Sequence, residues 1–356
     1  MLEMNRRRFI QIAAMATGAV ASASALSGCT IGATADESLQ INSFGGTFQD
    51  VAQRTVIDPF SAQSGKNVAV TTAVPIEALT RLRASPQNPP FDLMYMDLAV
   101  LYQAKNAGLL QPFDLSKVPN VSKLYPLAVD GERYWISELV SMTGIAYNTE
   151  KVKTPPTSWQ DLWADTYRDR VALCNIGSTA GHQFLAMAAR LNGGSEHNID
   201  PGFAAIQRMK PNIRSIYKTP DEMSRLLSSG EAWLGPWYGD RAGALKVSGA
   251  PIDFVRPKEG AIAIISAMCL SSNTKKANLA HQLANFHIST EANGPFVAAL
   301  GAGPTNSEVT LSEDVLANRY IPYGLDQVNA LVNLDAQEMA NQLPDWTTRW
   351  QQEIAN

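Results

Sequence analysis

The segment LQINSFGGTFQDVAQRTVIDPF, residues 39–60, begins the pattern that decides the fold. Its apolar first part, Leu39–Phe44, predicts a strand. The Gly45-Gly46-Thr47 turn follows, and the apolar residues after it recur with the 3.6-residue period of an amphipathic helix. Gly65 marks the end of that helix, because glycine readily adopts the left-handed conformation that stops a helix. The segment therefore predicts a strand, a turn and a helix in series.

The same alternation continues along the chain. Strands are predicted at 66–73 and 91–96, and helices at 76–84 and 98–107. Strands that alternate with helices form a parallel sheet, and the ligands of such sheets lie just beyond the carboxyl ends of the strands. The sequence therefore predicts an α/β fold, with a ligand site at the strand ends occupied by Phe44, Gly45, Gly46, Thr47 and Asp97.

A second unit begins after the pattern changes near Arg133. Short strands are predicted at 134–136 and 144–148, and we place the passage between two lobes here. The second lobe repeats the alternation, and one of its helices carries a capping box formed by Thr219 and Glu222. The long apolar strand predicted at 261–270 reaches back to the first lobe. The chain is therefore expected to cross between the lobes twice.

The stretch GEAWLGPWYGDR, residues 230–241, gathers two tryptophans, a tyrosine, acids and an arginine beside glycine and proline. Aromatic faces and a few charges on a turn suit the binding of a small polar solute, whereas bond breaking needs an acid, a base, a nucleophile or a metal. A strand predicted at 233–236 would place Trp237, Tyr238, Asp240 and Arg241 at the edge of the sheet. We therefore predict a binding protein without a cofactor or a metal.

The N-terminus predicts export. Asn5-Arg6-Arg7-Arg8-Phe9-Ile10 is a twin-arginine start, and an alanine-rich apolar stretch follows it. Leu26-Ser27-Gly28-Cys29 then resembles a lipobox, in which Cys29 becomes the lipid-modified first residue; cleavage after Ala23-Ser24-Ala25 is the alternative and leaves a soluble protein. We predict a signal at 1–28, a linker at 29–37, and a location in the periplasm or on the outer face of the cytoplasmic membrane. Membrane contact would then rest on the lipid alone.

Length and charge narrow the class further. Removing 28 of the 356 residues leaves 328, which suits two lobes better than one compact core. The formal charge of −4 becomes −6, because the signal carries three arginines and one glutamate. No basic stripe remains to suggest nucleic acid. Cys174 and Cys269 lie in apolar segments, which favours two buried thiols over the disulfide that export would permit.

Four segments carry a resemblance to a known family. They are FDLMY at 91–95, GLLQPFD at 108–114, GIAYNT at 144–149 and PKEG at 257–260. In order and spacing they resemble bacterial extracellular solute-binding proteins, above all the spermidine/putrescine-binding proteins of ABC importers. The resemblance implies a monomeric type II periplasmic binding fold, in which two lobes, each a mostly parallel sheet flanked by helices, clamp a ligand and dock on permease subunits. We assign 38–142 and 268–310 to lobe 1, and 143–267 and 311–356 to lobe 2.

The resemblance also implies individual binding positions. Phe44 and Trp237 match the aromatic residues of the two lobes, so they are expected to enclose an alkyl or ammonium group. The polyamine binders carry Trp-x-Asp just after the Pro-Lys-Glu-Gly turn, where this chain has Ile264-Ile265-Ser266. Their acids at the start of the second-lobe helix are replaced here by Ser178 and Thr179. The principal acid that recognises an amine in the family is therefore missing.

Other charged residues suggest a different ligand. Asp97 and Asp240 stand where the family commonly has small polar residues, and Arg241 lies beside Asp240. The acids suit an ammonium group, while Arg241 or the helix start at Ser178 suits a carboxylate. An amino-acid-like zwitterion, such as 4-aminobutyrate, or a polyamine is therefore predicted; the alternative is a surface ion pair that touches no ligand. The predicted ligand-binding residues are Phe44, Gly45, Gly46, Thr47, Asp97, Trp135, Ser178, Thr179, Trp237, Tyr238, Asp240, Arg241 and Ser266.

Other functions find weaker support in the sequence. Cys174 with His182, or Ser178 in the Gly177–Gly181 turn, are the candidates for catalysis, but the turn lacks the G-x-S-x-G spacing and Cys174 lies in an apolar strand. The four histidines include no i, i+4 pair of metal ligands. A surface adhesin or scaffold would not need aromatic residues between lobes. We therefore predict a non-enzymatic binder, with a different small organic ion or a secreted enzyme as alternatives.

Overall fold

The computed structural model describes residues 38–317 and 320–355. The predicted export signal, the linker and Cys29 lie outside the described residues. Within the described residues, no helix combines the length and the apolar character that crossing a membrane requires.

The strands of the described residues join into one sheet with the order β2-β1-β3-β10-β5-β8-β6-β7, in which β4 also pairs with β10 and β9 with β5. The strands β1, β2 and β3 are parallel, as are β6, β7 and β8, whereas β5 and β10 run antiparallel to their neighbours. The strands are β1 Leu39–Ser43, β2 Val68–Thr72, β3 Leu93–Asp97, β4 Leu110–Gln111, β5 Trp135–Asn148, β6 Val171–Cys174, β7 Ile213–Tyr217, β8 Leu234–Tyr238, β9 Ile252–Val255 and β10 Ile262–Ser271.

Helices cover both faces of this sheet. A π-helical segment, Gln53–Ile57, joins the first two helices, and Thr219 forms the predicted capping box with Glu222 at the start of α7. The α-helices are α1 Gly46–Ala52, α2 Asp58–Ser64, α3 Pro75–Ala84, α4 Leu98–Asn106, α5 Thr179–Leu191, α6 Asp200–Met209, α7 Pro220–Ser228, α8 Gly239–Val247, α9 Ala277–His287, α10 Thr290–Leu300, α11 Glu313–Leu316, α12 Leu325–Asn329 and α13 Ala336–Glu353.

The central pair β5 and β10 belongs to both halves of the sheet. The C-terminal part of β10 pairs with β3 of the first half. The C-terminal part of β5 pairs with β8 and β9 of the second half. The two short strands predicted at 134–136 and 144–148 are therefore one continuous strand, which corrects the sequence analysis. Every residue of β5 is buried, including the polar residues at its centre, and those residues hid the strand. The double crossing that the sequence predicted is confirmed.

The apolar core is divided by the sheet and by the two halves. In the first half, Ile41 and Phe296 pack with α1, α9 and α10 on one face, while Met94 packs with α3 and α4 on the other. In the second half, Phe184 belongs to the cluster that includes α5, α6 and α13, and Met223 belongs to the opposite cluster. The carboxyl ends of β1, β3, β6 and β8 each lead toward the start of a helix, at Gly46, Leu98, Thr179 and Gly239.

The segment after α10 contributes to both halves. Leu311 and Ile321 pack in the first-half cluster, whereas Trp346 of α13 packs in the second-half cluster. Across the halves, Asn106 of α4 donates a hydrogen bond of 2.9 Å to Asn341 of α13. The C-terminal helix therefore bridges the two halves behind the strand ends.

Candidate functional site

Each strand end named in the sequence analysis leads directly into a helix. Asp97 is the last residue of β3 and the N-cap of α4, where its Oδ1 accepts a hydrogen bond of 3.1 Å from the Val100 backbone N–H. Removal from water raises the pKa of the Asp97 carboxyl, although its backbone hydrogen bonds act in the opposite direction. The carboxylate at this position therefore gains from an additional positively charged partner.

The second half contributes a tyrosine and an acid. Tyr238 ends β8, and its hydroxyl oxygen accepts a hydrogen bond of 3.3 Å from the Ala180 N–H in the first turn of α5. Asp240 follows in the first turn of α8, and its Oδ1 accepts a hydrogen bond of 3.0 Å from Ser141 Oγ on β5. Burial raises the pKa of Asp240, and the Arg241 guanidinium partly opposes that rise. These residues tie the second-half strand ends to the central strand.

Electrostatics links the acids of the two halves. Burial raises the pKa of Tyr238 far above its usual range, and the nearby Cys174, Asp97 and Asp240 side chains add to the rise. The interaction between two charges weakens as their separation grows. Asp97 and Asp240, from opposite halves of the molecule, therefore both lie close enough to Tyr238 to influence its pKa.

Each of the two acids lines a cavity. A small one of about 40 Å³ is lined by Asp97 of the first half, Thr179 and His182 of α5, and Ile265 of β10. It has room for a few water molecules, since one water needs roughly 10–15 Å³ of such space. A larger one of about 360 Å³ lies between α8 and α10 and is lined by Asp240. Its volume is in the range of small-molecule sites.

The sequence matches one known protein family over most of its length. The family described as "Bacterial extracellular solute-binding protein" matches residues 55–322, which is most of the chain. The chain belongs to this family. The resemblance drawn from the four sequence segments is thereby confirmed, and the two-lobed fold is the type II periplasmic binding fold of its structural neighbours.

Relatives of this solute-binding protein include transporter components. Spermidine/putrescine-binding periplasmic protein 1 of Haemophilus influenzae is 23% identical over 274 residues, which cover 74% of each chain. A solved structure described as an ABC transporter from Clostridium perfringens is 24% identical, with a TM-score of 0.79, and the match covers 89% of this chain and 99% of that one. The solved Atu4243-GABA receptor is 21% identical, with a TM-score of 0.75 and coverages of 88% and 96%.

In this solute-binding protein, the loop after β1 is a glycine turn beside an aromatic ring. Phe44 is partly buried and lies edge-on to Phe48, with 4.7 Å between the ring centroids. Gly45 has a φ of 78°, and a β-carbon there would lie 2.8 Å from the Thr72 side chain. Glycine is therefore required at this position, whereas Gly46 and Thr47 are exposed. The loop brings an aromatic ring and free backbone to the strand ends.

The two tryptophans of the predicted site lie in the core. The strand β8 extends to Tyr238, so Trp237 lies within the strand, and its fully buried side chain packs with Cys174 and Met223. Trp135 packs among core residues near α4, and its Nε1 donates to Tyr102 at 3.4 Å. Neither indole lines the cavities next to Asp97 and Asp240, so the predicted enclosure of a ligand group by Phe44 and Trp237 stays a prediction.

The remaining predicted residues lie near the cleft. Ser178 is the N-cap of α5 and Thr179 its first residue, and both are partly buried. Arg241 Nε lies 3.8 Å from Asp240 Oδ2, with 47% of the Arg241 side chain exposed. This long contact leaves the guanidinium accessible to an anion. Ser266 is buried on β10, where it pairs with Asp97 of β3.

The sequence analysis missed one acid at this place. Glu138 of β5 is fully buried, and Ser266 Oγ donates a hydrogen bond to its Oε1. Desolvation raises the pKa of Glu138 to about 8. A glutamate in the middle of a buried strand is rare. It would have identified Glu138 as a candidate site residue if the sequence had predicted β5 as one continuous strand.

The residues considered for catalysis are not activated. Burial raises the pKa of the Cys174 thiol to about 11 and lowers that of His182 to about 4. A protonated thiol and a weakly basic imidazole do not form a nucleophile and its base. Cys174 and Cys269 are both buried and unpaired, which confirms the predicted thiols. Among the described residues, no cluster of three or more potential metal ligands is present.

Proposed function

We propose that this protein is the solute-binding component of an ABC importer and captures a small amine-bearing solute between its lobes. One observation above all supports this: Asp97 and Asp240, carboxyls from opposite lobes, stand at the strand ends and both influence the pKa of Tyr238. Burial raises the pKa of both carboxyls. An ammonium group close to them would favour their charged forms, because a charge removed from water needs an opposite charge beside it.

The same site suits a second, anionic group on the solute. Arg241 is half exposed beside Asp240, and the backbone N–H groups at the start of α5 lie next to Thr179. Both are ordinary partners of a carboxylate. The names of two relatives fit this chemistry, since spermidine and putrescine are polyamines and 4-aminobutyrate is an amine with a carboxylate. The amine is the shared feature, and a zwitterion would use Arg241 as well.

The remaining parts of the proposal concern organisation and location. Residues 38–142 and 268–310 would form lobe 1, and residues 143–267 the main part of lobe 2. The chain would return to lobe 2 after Ile321, because Ile321 packs in the apolar cluster of the first half. The strands β5 and β10 would form the hinge. The protein would act as a monomer that performs no chemistry and docks on permease subunits. It would be exported to the periplasm, as its relative's name indicates, either anchored through Cys29 or free.

Calorimetry with defined probes tests the proposal. Putrescine, spermidine and 4-aminobutyrate are titrated into the protein, with butyrate as the matched compound that lacks the amine. We expect at least one amine to bind and butyrate not to bind. A bound amine at 100 times its Kd should raise the free energy of unfolding by about 2.7 kcal/mol.

Variants locate the site in the same assay. Asp240→Asn should weaken amine binding at least about tenfold, since it removes a charged hydrogen-bond partner worth roughly 1.5–3 kcal/mol. Glu150→Gln, an exposed residue in the turn after β5, is the matched control and should bind like the wild type. Butyrate binding as tightly as 4-aminobutyrate, or an unchanged Kd in Asp240→Asn, would contradict the proposed site.

A further inference from the structure

The hinge contains an acid in an irregular position. Along the pairing of β5 with β10, Ser266 lies opposite Leu139 and Ala267 lies opposite Ser137. Glu138 is therefore the extra residue of a β-bulge. Bulges bend a strand, redirect a side chain and occur next to binding sites more often than elsewhere in sheets. The bulge lies on one of the two strands that both lobes share.

The hydrogen bonds of this acid are incomplete. Ser266 Oγ donates to Oε1 of Glu138, whereas Oε2 has no hydrogen-bond partner among the described residues. The side chain is fully buried. Buried polar atoms in native proteins are nearly always paired, so this carboxyl oxygen is open to a partner that the polypeptide does not supply, such as a water molecule or a group of the ligand.

The contacts of this acid reach elements that border the candidate site. Ser266, which holds the carboxyl, pairs across the sheet with Asp97 at the carboxyl end of β3. On the other side, Asn293 of α10 donates a hydrogen bond of 2.7 Å to the Glu138 backbone oxygen. The larger cavity lies between α10 and α8. Glu138 is therefore connected to Asp97 through Ser266 and to α10 through Asn293, on a strand that both lobes share.

We propose that Glu138 is a further carboxylate that pairs with the ammonium group of the solute, in addition to Asp97 and Asp240, and that Ser266 holds it in position. This inference rests on the proposed function and extends it to the hinge. The ligand group is an alkylammonium ion, one N–H of which donates to Oε2. Before binding, the carboxyl holds a proton at pH 7, because burial raises its pKa to about 8. The incoming cation favours the ionised form, so the proton passes from the carboxyl to the solvent.

Most of the other ionisable groups around Glu138 stay neutral near pH 7. The titration of the remaining one, Asp97, can be distinguished from that of Glu138 by substitution. Burial raises the pKa values of Tyr95 on β3 and Cys269 on β10, and the charge of Glu138 adds to both rises. His287 of α9 lies 3.0 Å from the Tyr95 hydroxyl, and burial lowers its pKa to about 3. Asp97 is the remaining acid, with a pKa raised by burial. Asp97→Asn separates its titration from that of Glu138.

Calorimetry at several pH values tests the assignment. Putrescine and 4-aminobutyrate are titrated at pH 6, 7 and 8 in two buffers of different ionisation enthalpy, which counts the protons released. A group with a pKa of about 8 is roughly nine-tenths protonated at pH 7, so the wild type should release close to one proton per amine bound. Its Kd should fall about tenfold from pH 6 to pH 7. Glu138→Gln should release none, bind at least about tenfold more weakly at pH 8 and lose this pH dependence.

A second variant keeps the inference testable if Glu138→Gln does not fold. Ser266→Ala leaves the carboxyl but removes its donor, so amine binding should persist while its pH dependence moves to higher pH. Amine binding without proton release in the wild type, or an equal Kd in Glu138→Gln, would overturn the role of Glu138 and leave the proposed function intact. Failure of both amines and of spermidine to bind the wild type would overturn the proposed function itself, and this inference with it.

Discussion

Replacing Glu138 with glutamine should change how the stability of the protein depends on pH. In the folded protein burial raises the pKa of Glu138 from 4.5 to about 8, whereas in the unfolded chain the carboxyl is hydrated and keeps its ordinary value. Between these two values the folded state holds more protons than the unfolded chain. The contribution of Glu138 to the free energy of unfolding is therefore fully present below the pKa of its carboxyl in the unfolded chain. It is lost as the pH rises through the pKa of that carboxyl in the folded protein.

The two pKa values set the size of the effect. One pKa unit corresponds to about 1.36 kcal/mol, so Glu138 alone should lower the free energy of unfolding by about 3.5 kcal/mol between pH 5 and pH 8. His182 and His287 act in the opposite sense, because burial lowers their pKa values to about 4 and about 3. Both proteins contain these histidines. The difference between wild type and Glu138→Gln therefore isolates the carboxyl.

Urea denaturation at pH 5, 6, 7 and 8 measures this difference, with tryptophan fluorescence as the signal. The stability of Glu138→Gln relative to wild type should become about 3.5 kcal/mol more favourable at pH 8 than at pH 5. Glu150→Gln, which changes an exposed glutamate, should follow the wild type at every pH. A difference for Glu138→Gln that stays constant within about 1 kcal/mol across this range would refute a buried, proton-bearing carboxyl.

Three further substitutions or reagents probe the fold itself. Gly144→Ala should lower the free energy of unfolding by at least about 2 kcal/mol, because a β-carbon there would lie 2.4 Å from the Phe254 ring. Gly131→Ala, where a β-carbon would meet nothing within 4 Å, should change it little. Equal urea midpoints for the two variants would contradict this prediction. Thr219→Ala should cost about 1 kcal/mol in the same assay and Thr219→Ser much less, since serine keeps the helix cap. Cys174 and Cys269 should react with a thiol reagent only in urea, because both thiols are buried and their pKa values are raised. Rapid labelling of the native protein would contradict this prediction.

Most of the regular elements could be predicted from local sequence patterns. The strand at β1, the helix α4 and the cap of α7 all carry their signals within a few residues, as periodicity, a C-terminal glycine or a capping box. The helix α6 was not predicted, although Phe203 and Ile206 recur at helical spacing after a proline at its start. The continuity of β5 could not be predicted in this way. Its polar centre is stabilised by partners distant in sequence, such as Ser266 and Gln183.

The strand ends that form the candidate site were predictable from the sequence, whereas the arrangement of side chains around them was less so. Asp97 follows a clear apolar strand, so its place at a strand end could be deduced from the sequence. The direction of the Trp237 side chain could not, because extending β8 by two residues moves this residue from the turn into the strand and its indole into the core. Glu138 escaped prediction because a β-bulge depends on the pairing of two strands more than a hundred residues apart.

The claim that the cleft takes an amine can be measured directly on the purified protein. Denaturing the protein releases any solute that purified with it, and mass spectrometry identifies that solute. The solute is then titrated back into solute-free wild type and into Asp240→Asn. We predict a small compound with a basic amine that rebinds the wild type and binds Asp240→Asn at least about tenfold more weakly. A rebinding compound without a basic nitrogen, or equal affinity for the two proteins, would contradict the claim.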